Sequence, residues 1–514
     1  MAKSRSSRAK RPTVSRRRSS PAKSTAAKRQ RRSAAGSSDF RVRVRMFRHG
    51  LGDCFLVSFR RQGRDPFQLL VDCGALARSG AEMVPLAERI EAATKGADGK
   101  SRLDLVIATH EHRDHLSGFN QARDVFDRIE IGRVWMGWTE NPEDDDAKDL
   151  LAARARALTS VRAALASPRG VAASIAGALS GVAPLLAFSD GEDTAVAGRR
   201  TIADALDYLR QRGAAAGALE YLDPGKGPLA LDGVEKVRTF VLGPPRESKL
   251  LLDSSVTKKR IDEGSIYHLA GLEMAAIAAL DEALGLNARP DGSSPNGRHR
   301  PFPKEHAIAR GDHWYGQIRS FVERTYDLPS EDWRRIDHDW IESYGRLALK
   351  LANDTNNTSL VVAFELEDTG DVLLFVGDAQ VGNWLSWKDV TFRLPDRDDR
   401  LSALDLVRRT VFYKVGHHAS HNATLKKQGL ELMKSDQLVA FIPLDKPTAA
   451  AQGRKDPETG KPKGWDMPAG PLYEALLAKT AGRVVISDAA EAVPQAALDA
   501  GVAATPEWVD WYYR

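Results

Sequence analysis

Two cysteines in 514 residues leave no material for a disulfide scaffold or a four-cysteine zinc cluster. Cys54 and Cys73 each sit in an apolar, strand-like segment, which reads as two buried thiols in a reducing compartment; a disulfide between them is the less favoured alternative. The chain also lacks an apolar run of about eighteen residues, the length a bilayer span requires. No apolar stretch follows the N-terminal positive charges as it does in an export signal. These absences predict a cytoplasmic protein with no membrane partner. Neither a G-x-x-x-x-G-K-[ST] phosphate loop nor a Cys-x-x-Cys pair is present.

Negative charge is missing from the start of the chain. Residues 1–38 hold thirteen Lys or Arg and no Asp or Glu, so the formal charge of +6 for the whole leaves −7 for the remainder. Such a Ser/Ala/Arg/Lys tract cannot bury enough apolar surface to offset its chain entropy, and 1–38 is predicted to be a disordered basic tail. It is suited to tethering nucleic acid by counterion release. A solvated tail without a partner, or a start codon assigned too far upstream, explains it equally well. Oligomeric state leaves no signal in the sequence.

What is present describes an ordinary globular chain, with 42% hydrophobic and 28% charged residues. The patterns predict one domain over residues 39–514, with excursions at about 138–235 and 246–350. Residues 41–47 alternate basic and apolar with the period of a half-buried strand. A turn at 49–53 leads to two apolar runs, 54–59 and 67–72, joined by a polar turn; together the three strands predict an antiparallel meander. Residues 82–95 read as a helix, 103–108 as a short buried strand delivering Thr109 and His110 at its C-terminal end, and 133–137 as another strand. The Ala-rich stretch 145–215 has helical spacing, 237–242 returns to strand character, and 246–350 is helical and irregular with a Gly/Pro/Asn/Ser-rich loop near 287–303. Strands resume at 359–367, 372–376, 410–415 and 438–442, and 483–487 is the last one predicted.

The strongest chemical signal is Thr109-His110-Glu111-His112-Arg113-Asp114-His115-Leu116, three imidazoles and a carboxylate directly after a strand. His-x-His on an extended turn can put two nitrogens on one cation, while Asp-His at the start of the following helix addresses a second cation nearby. A hydroxide held between two such ions is a nucleophile at neutral pH. The bland alternative is a His-rich surface turn, but four ligand-type side chains converging at a strand end are costly without a metal.

Thr-His-x-His-x-Asp-His after an apolar strand resembles the signature of the metallo-β-lactamase superfamily. Phe375-Val376-Gly377-Asp378-Ala379 resembles its strand-Gly-Asp element, which implies that Asp378 bridges two metals. Tyr413-Lys414-Val415-Gly416-His417-His418-Ala419-Ser420 resembles its late strand-His element, which implies His418, with His417 as the alternative, as a ligand of the second metal or a grip on the substrate. Leu70-Val71-Asp72-Cys73-Gly74 resembles the early Asp-x-Gly element, which implies that Asp72 orders the site from behind the ligands. Gly50-Leu51-Gly52-Asp53-Cys54, Asn356-Asn357-Thr358-Ser359-Leu360 and the His-His-Ala-Ser run are similar to the branch typified by the soluble domain of the DNA-uptake protein ComEC. That similarity spans about residues 41–135, 237–245 and 353–490. The membrane channel of ComEC has no counterpart here, so DNA uptake is not implied. Where many superfamily members place a third His for the first metal, this chain has Thr355-Asn356-Asn357, as the ComEC-like branch tends to. An oxygen donor such as Asn356 softens that site and sets Mn2+ beside Zn2+.

The resemblance implies an α/β fold, a four-layer αββα metallo-β-lactamase sandwich with two largely helical insertions. It implies a metal-dependent hydrolase with two divalent cations, Zn2+ before Mn2+, held by His110, His112, Asp114, His115, Asp378 and His418, with Asp114 and His418 at the catalytic centre. Phosphodiester bonds of nucleic acid are the implied substrate. The alternatives are a small phosphoester, thioester or lipid headgroup and, outside enzymes, a metal-holding regulatory or interaction module. β-Lactam hydrolysis is disfavoured because there is no export signal. His306, His313 and His338, scattered among Trp314, Trp333 and Trp340, read as packing or rim residues, and Lys446 is a weak prospect for facing a phosphate.

Overall fold

The computed structural model describes residues 40–166, 200–252, 313–325, 354–395, 399–452 and 464–514. The basic tail, the 287–303 loop, His306 and His338 lie outside the described residues. Strands in the first half are β1 (Val42–Phe47), β2 (Phe55–Phe59), β3 (Phe67–Val71), β4 (Arg102–Leu103), β5 (Leu105–Ala108), β6 (Glu130–Ile131), β7 (Val134–Gly137), β8 (Leu219–Leu222) and β9 (Val237–Gly243). They are followed by β10 (Val361–Leu366), β11 (Asp371–Phe375), β12 (Thr391–Arg393), β13 (Arg400–Ser402), β14 (Thr410–Lys414), β15 (Val439–Ile442), β16 (Val484–Ile486), β17 (Val502–Ala504) and β18 (Trp508–Tyr513).

Among the described residues these strands build two large sheets. One has the order β17-β18-β1-β2-β3-β5-β7-β8, antiparallel as far as β3 and parallel from β3 to β8. The other runs β16-β15-β14-β11-β10-β9, parallel as far as β11 and antiparallel beyond it. Period-two alternation gives each sheet two apolar faces. Val44, Val57, Leu69 and Ile107 of the first sheet share a core with Val362, Phe364, Phe375 and Phe412 of the second. Phe55 and Phe375 meet edge to face across it, with ring centroids 5.9 Å apart. The outer face of the first sheet, with Leu56, Leu70, Val106 and Met136, packs under helices Gly80–Ala93, Arg113–Gln121 and Ile202–Ala215. That of the second, with Ala363, Leu374, Tyr413 and Ala440, packs under Trp384, Leu406 and Leu476 of helices Val381–Ser386, Ala403–Arg408 and Gly470–Lys479. The layers are therefore helices, sheet, sheet, helices, in a mixed α/β fold.

The opening meander and the helix Gly80–Ala93 form where the pattern predicts them. The predicted end of the strand series is corrected: β17 and β18 follow residues 483–487, and β18 pairs along its whole length with β1. Asp510 interrupts the apolar pattern of β18. It is accommodated because Arg45 of β1 donates Nε–H and Nη2–H to its two carboxylate oxygens, each at 2.7 Å. The stretch 138–235 is not wholly an excursion either. Leu219–Leu222 is the edge strand β8 beside β7, and the helix Ile202–Ala215 packs on Arg113–Gln121. Helical spacing over 145–215 resolves into Asp145–Ala166 and Ile202–Ala215, with 167–199 outside the described residues. Cys54 and Cys73 are buried free thiols. Among the described residues no helix is long and apolar enough to cross a membrane.

Candidate metal centre

The loops leaving the parallel strands of both sheets converge on one cluster of side chains, as expected at the carboxyl ends of an α/β sheet. β3 delivers Asp72, whose φ of 55° turns the chain back on itself. Gly74 then lies so close to the next loop that a Cβ there would sit 2.5 Å from the backbone of Asp114 and His115. The turn after β5 is fixed by Asp72, which accepts the Thr109 N–H at 2.9 Å and the Thr109 hydroxyl at 2.7 Å. His112, still extended, caps the helix Arg113–Gln121 and places Asp114 in its first turn, where the helix dipole favours a negative charge.

The second sheet supplies the opposing wall. Gly377, with φ of 53°, leaves no room for a side chain, since a Cβ would meet Ser359 at 2.9 Å and Thr109 at 3.0 Å. This close approach sets Asp378 against the first sheet's loop. After β14 the chain makes three consecutive left-handed steps at His417, His418 and Ala419, with φ of 42°, 50° and 62°. Such a run of non-glycine residues costs on the order of 1–3 kcal/mol each, and it aims the His418 ring into the cluster.

Four ligand atoms face one another there. His418 Nε2 lies 2.9 Å from Asp114 Oδ2 and 3.9 Å from Asp378 Oδ2, and His115 Nε2 lies 3.7 Å and 3.2 Å from the same two oxygens. Ligand-to-ligand edges of a tetrahedral zinc shell are roughly 3.3 Å, given bonds of about 2.0–2.1 Å. The rear nitrogens of both rings are committed: His115 Nδ1–H donates to Asp72 Oδ2 at 2.7 Å, and His418 Nδ1–H donates to the Pro443 carbonyl at 2.6 Å. This leaves each Nε2 for the centre, the usual arrangement behind metal-bound histidines. Asp114 Oδ1 is buried with no hydrogen-bond partner, which fits a group placed for a ligand that is not protein.

A second set adjoins the first. His110 Nε2 and His112 Nδ1 face each other at 3.1 Å, while His110 Nδ1 is held by Thr109 Oγ1 at 3.0 Å and Ser359 Oγ at 3.2 Å. Asn356 turns its Nδ2 to His417 Nε2 at 3.3 Å and leaves Oδ1 buried without a partner. His417 itself is occupied elsewhere: its N–H donates to Asp378 Oδ1 at 2.9 Å and its Nδ1 meets Ser420 Oγ at 2.7 Å. Of the late pair, then, His418 enters the cluster and His417 backs it.

Charge is distributed unevenly over the two sets. Burial pulls His115 down, but Asp378, Asp53, Asp114 and Asp72 outweigh it and hold the imidazole well above its ordinary value. His418 is likewise raised against burial, by Asp378 and Asp114. Burial raises Asp378 and Asp114, yet the neighbouring cations prevail and Asp378 ends well below the usual carboxylate range, with Asp114 lowered as well. His110 falls well below the ordinary value and His112 to about 3, chiefly through burial. His417 falls to about 4 for the same reason.

Two functional residues escaped the sequence reading. Asp53 and Lys414 form a buried ion pair behind Asp378, and Lys414 Nζ also reaches Asp378 Oδ1 at 3.2 Å and donates to the Gly377 carbonyl at 2.6 Å. The readable signal was a lysine in the apolar strand Thr410–Lys414. Asp53, His115, Asp378 and His418 each offer an atom within 4.8 Å of the others. Asp53 nevertheless stands on the rear side of His115, 3.8 Å from Nδ1, and faces Lys414, whereas Asp114 Oδ2 lies on the Nε2 side of both rings, 2.9 Å from His418 and 3.7 Å from His115. Burial raises Asp53 to about 6 even against the charges of Lys414 and His115. Lys446, considered for a phosphate, pairs instead with Glu491 at 2.6 Å, and His313 is exposed at the start of the helix His313–Thr325. No protein-family model and no curated protein matches this chain.

Proposed function

We propose that the chain is a metal-dependent hydrolase with the αββα metallo-β-lactamase sandwich, acting on phosphodiester bonds of nucleic acid. The observation that carries this reading is the set Asp114 Oδ2, His115 Nε2, Asp378 Oδ2 and His418 Nε2, with contacts of 2.9–3.9 Å and both rings locked from behind. His110, His112 and Asn356 would hold a second cation beside it. Divalent cations at such a site, Zn2+ or Mn2+, supply Lewis acidity and a water nucleophile at neutral pH. The chain's own residues do the rest. Asp114 Oδ1 accepts a hydrogen of the attacking water and sets its direction; Lys414 neutralises Asp378 from behind; Asp72 keeps His115 in the tautomer with Nε2 forward. The nucleic-acid substrate rests on the similarity to the ComEC-like branch and on the basic tail.

One observation favours a second reading, hydrolysis of a small phosphoester, thioester or lipid headgroup: His110, His112, Asp114, His115, Asp378 and His418 are each no more than 1% exposed, as in a closed pocket. The test is metal content by mass spectrometry on the full chain, paired with cleavage of single-stranded DNA, RNA and bis(p-nitrophenyl) phosphate by wild type and by the double variant His112→Ala, Asp114→Ala. Two metals per chain and cleavage lost in the variant are expected. Metal without phosphodiester cleavage shifts the reading to a small substrate, and no stoichiometric metal leaves a binding module.

A further inference from the structure

One cation of the first excursion reaches the rim of the metal centre. The helix Asp145–Ala166 is seated on the domain by Ala147 and Leu150, which pack with Trp138 and Leu251. Arg154 follows Leu150 by four residues and Ala147 by seven, so it occupies the same stripe, where an amphipathic helix places an apolar side chain. Its side chain is 11% exposed, and its Nη2 is paired with Glu111, the residue between His110 and His112.

A guanidinium presents five N–H donors in a planar fork. Among the described residues, Glu111 is the one group that this guanidinium hydrogen-bonds. The donors of this fork that Glu111 leaves uncommitted are not among the fully buried polar atoms, so an anion arriving from solvent can reach them. The remainder of the chain beyond the tail is net negative, so an anionic ligand arriving here depends on local cations.

We propose that Arg154 is an anion subsite beside the metal centre, shaped for two oxygens of a phosphate group, with Glu111 as the latch that holds the fork in place until the phosphate arrives. The ligand class is a phosphate mono- or diester; that it belongs to the substrate rests on the hydrolase reading above. Arg154 pairs with carboxylate and phosphate by the same planar geometry, so Glu111 can be exchanged for the ligand without moving the helix. Glu140, which closes the turn Trp138–Glu140 after β7, feels the charges of Glu111, Arg154 and Arg210, and burial has already pushed it up to about 7. An anion beside it drives it to the neutral acid, whose O–H donates, so it does not oppose the ligand.

The experiment measures inorganic phosphate binding by calorimetry to the metal-loaded full chain, for wild type, Arg154→Ala, Arg154→Lys, Glu111→Gln and the double variant Arg154→Ala, Glu111→Gln, with metal content and thermal midpoint checked on each. Loss of a charge-assisted pair predicts phosphate affinity weaker by about 10- to 100-fold in Arg154→Ala. Arg154→Lys should fall between, since it keeps the charge and loses the fork. Glu111→Gln should tighten binding several-fold when Arg154 is present and much less in the double variant, where no guanidinium remains to release. Unchanged phosphate affinity in Arg154→Ala with metal retained overturns the subsite. If phosphate binding depends on Arg154 yet no phosphodiester is cleaved by wild type, the subsite stands and the hydrolase reading falls.

Discussion

Replacing Lys414 with Met asks whether charge holds the two buried carboxylates behind the metal centre. Met keeps most of the length and the apolar stem but removes the ammonium that pairs with Asp53, lies 3.2 Å from Asp378 Oδ1 and donates to the Gly377 carbonyl at 2.6 Å. Asp53 and Asp378, each 1% exposed, then keep only the imidazoles of His115 and His418 as counter-charges. Removing one partner of a buried ion pair costs about 3–5 kcal/mol. Asp53 already titrates near 6 with Lys414 in place, because burial dominates. Without Lys414 it rises further and takes up a proton at neutral pH, which relieves part of the penalty. The expected loss in metal-free protein at pH 7 is therefore at the lower end, about 3 kcal/mol.

The sign of the pH dependence follows. A carboxyl whose folded pKa lies above its unfolded value binds more protons in the folded state, so the variant's deficit relative to wild type narrows as pH falls from 7 towards 5. Urea unfolding followed by tryptophan fluorescence, in chelator at pH 7 and pH 5, reads both quantities. Adding Asp53→Asn should recover much of the loss, since the orphaned charge is gone. A Lys414→Met variant within about 1 kcal/mol of wild type at pH 7, or one whose deficit is no smaller at pH 5, refutes the view that this pair organises the site.

Asp72→Asn keeps the shape but weakens the bond that orients His115; metal affinity measured by chelator competition should fall about 10- to 100-fold, and unaltered affinity would count against Asp72 as the orienting group. Glu140→Gln removes a carboxyl raised from 4.5 to about 7 by burial and Glu111. Because the raised pKa makes wild-type stability decline as pH climbs from about 4.5 to about 7, the variant should gain up to about 3 kcal/mol above that window and little below it. Parallel denaturation curves for the two proteins across the window would contradict this. His418→Ala should lower metal stoichiometry, whereas His417→Ala should retain it, as mass spectrometry can tell; the same loss in both would dissolve the distinction between them.

The cluster around His110 was legible because four ligand-type side chains in six residues have few other uses, and Asp72, Asp378 and His418 were legible through a resemblance to motifs. Asp53 and Lys414 were hidden for a physical reason. An aspartate in a Gly-rich turn is what any turn contains, and a lysine at a strand end is ordinarily solvated; their meaning lies in pairing across 361 positions of chain, which no local pattern encodes. The strand β18 was obscured in the same way, since Asp510 breaks its alternation and the bidentate partner that makes it tolerable, Arg45, lies on a strand from the opposite end of the chain. β8 has half-exposed residues at an edge, where alternation is weakest.

The two ligand sets differ in a way that orders their filling. Asp114, His115, Asp378 and His418 include two carboxylates, and in metal-free protein those carboxylates shift both imidazoles towards the protonated form. A proton on either Nε2 has to leave before that nitrogen can take a cation, so binding at this set exchanges protons for metal. His110 and His112 are already neutral at pH 7, since burial keeps them far below that value, and they share their site with an uncharged amide. The set with formal negative charge should bind first and more tightly. Its affinity should increase with pH as His115 and His418 approach their raised folded values, with up to two protons released, while the second equivalent releases none from its imidazoles. Calorimetric titration of chelator-stripped protein in two buffers of different ionisation enthalpy separates the cases. Equal proton release for both equivalents would mean that the carboxylates do not set the order.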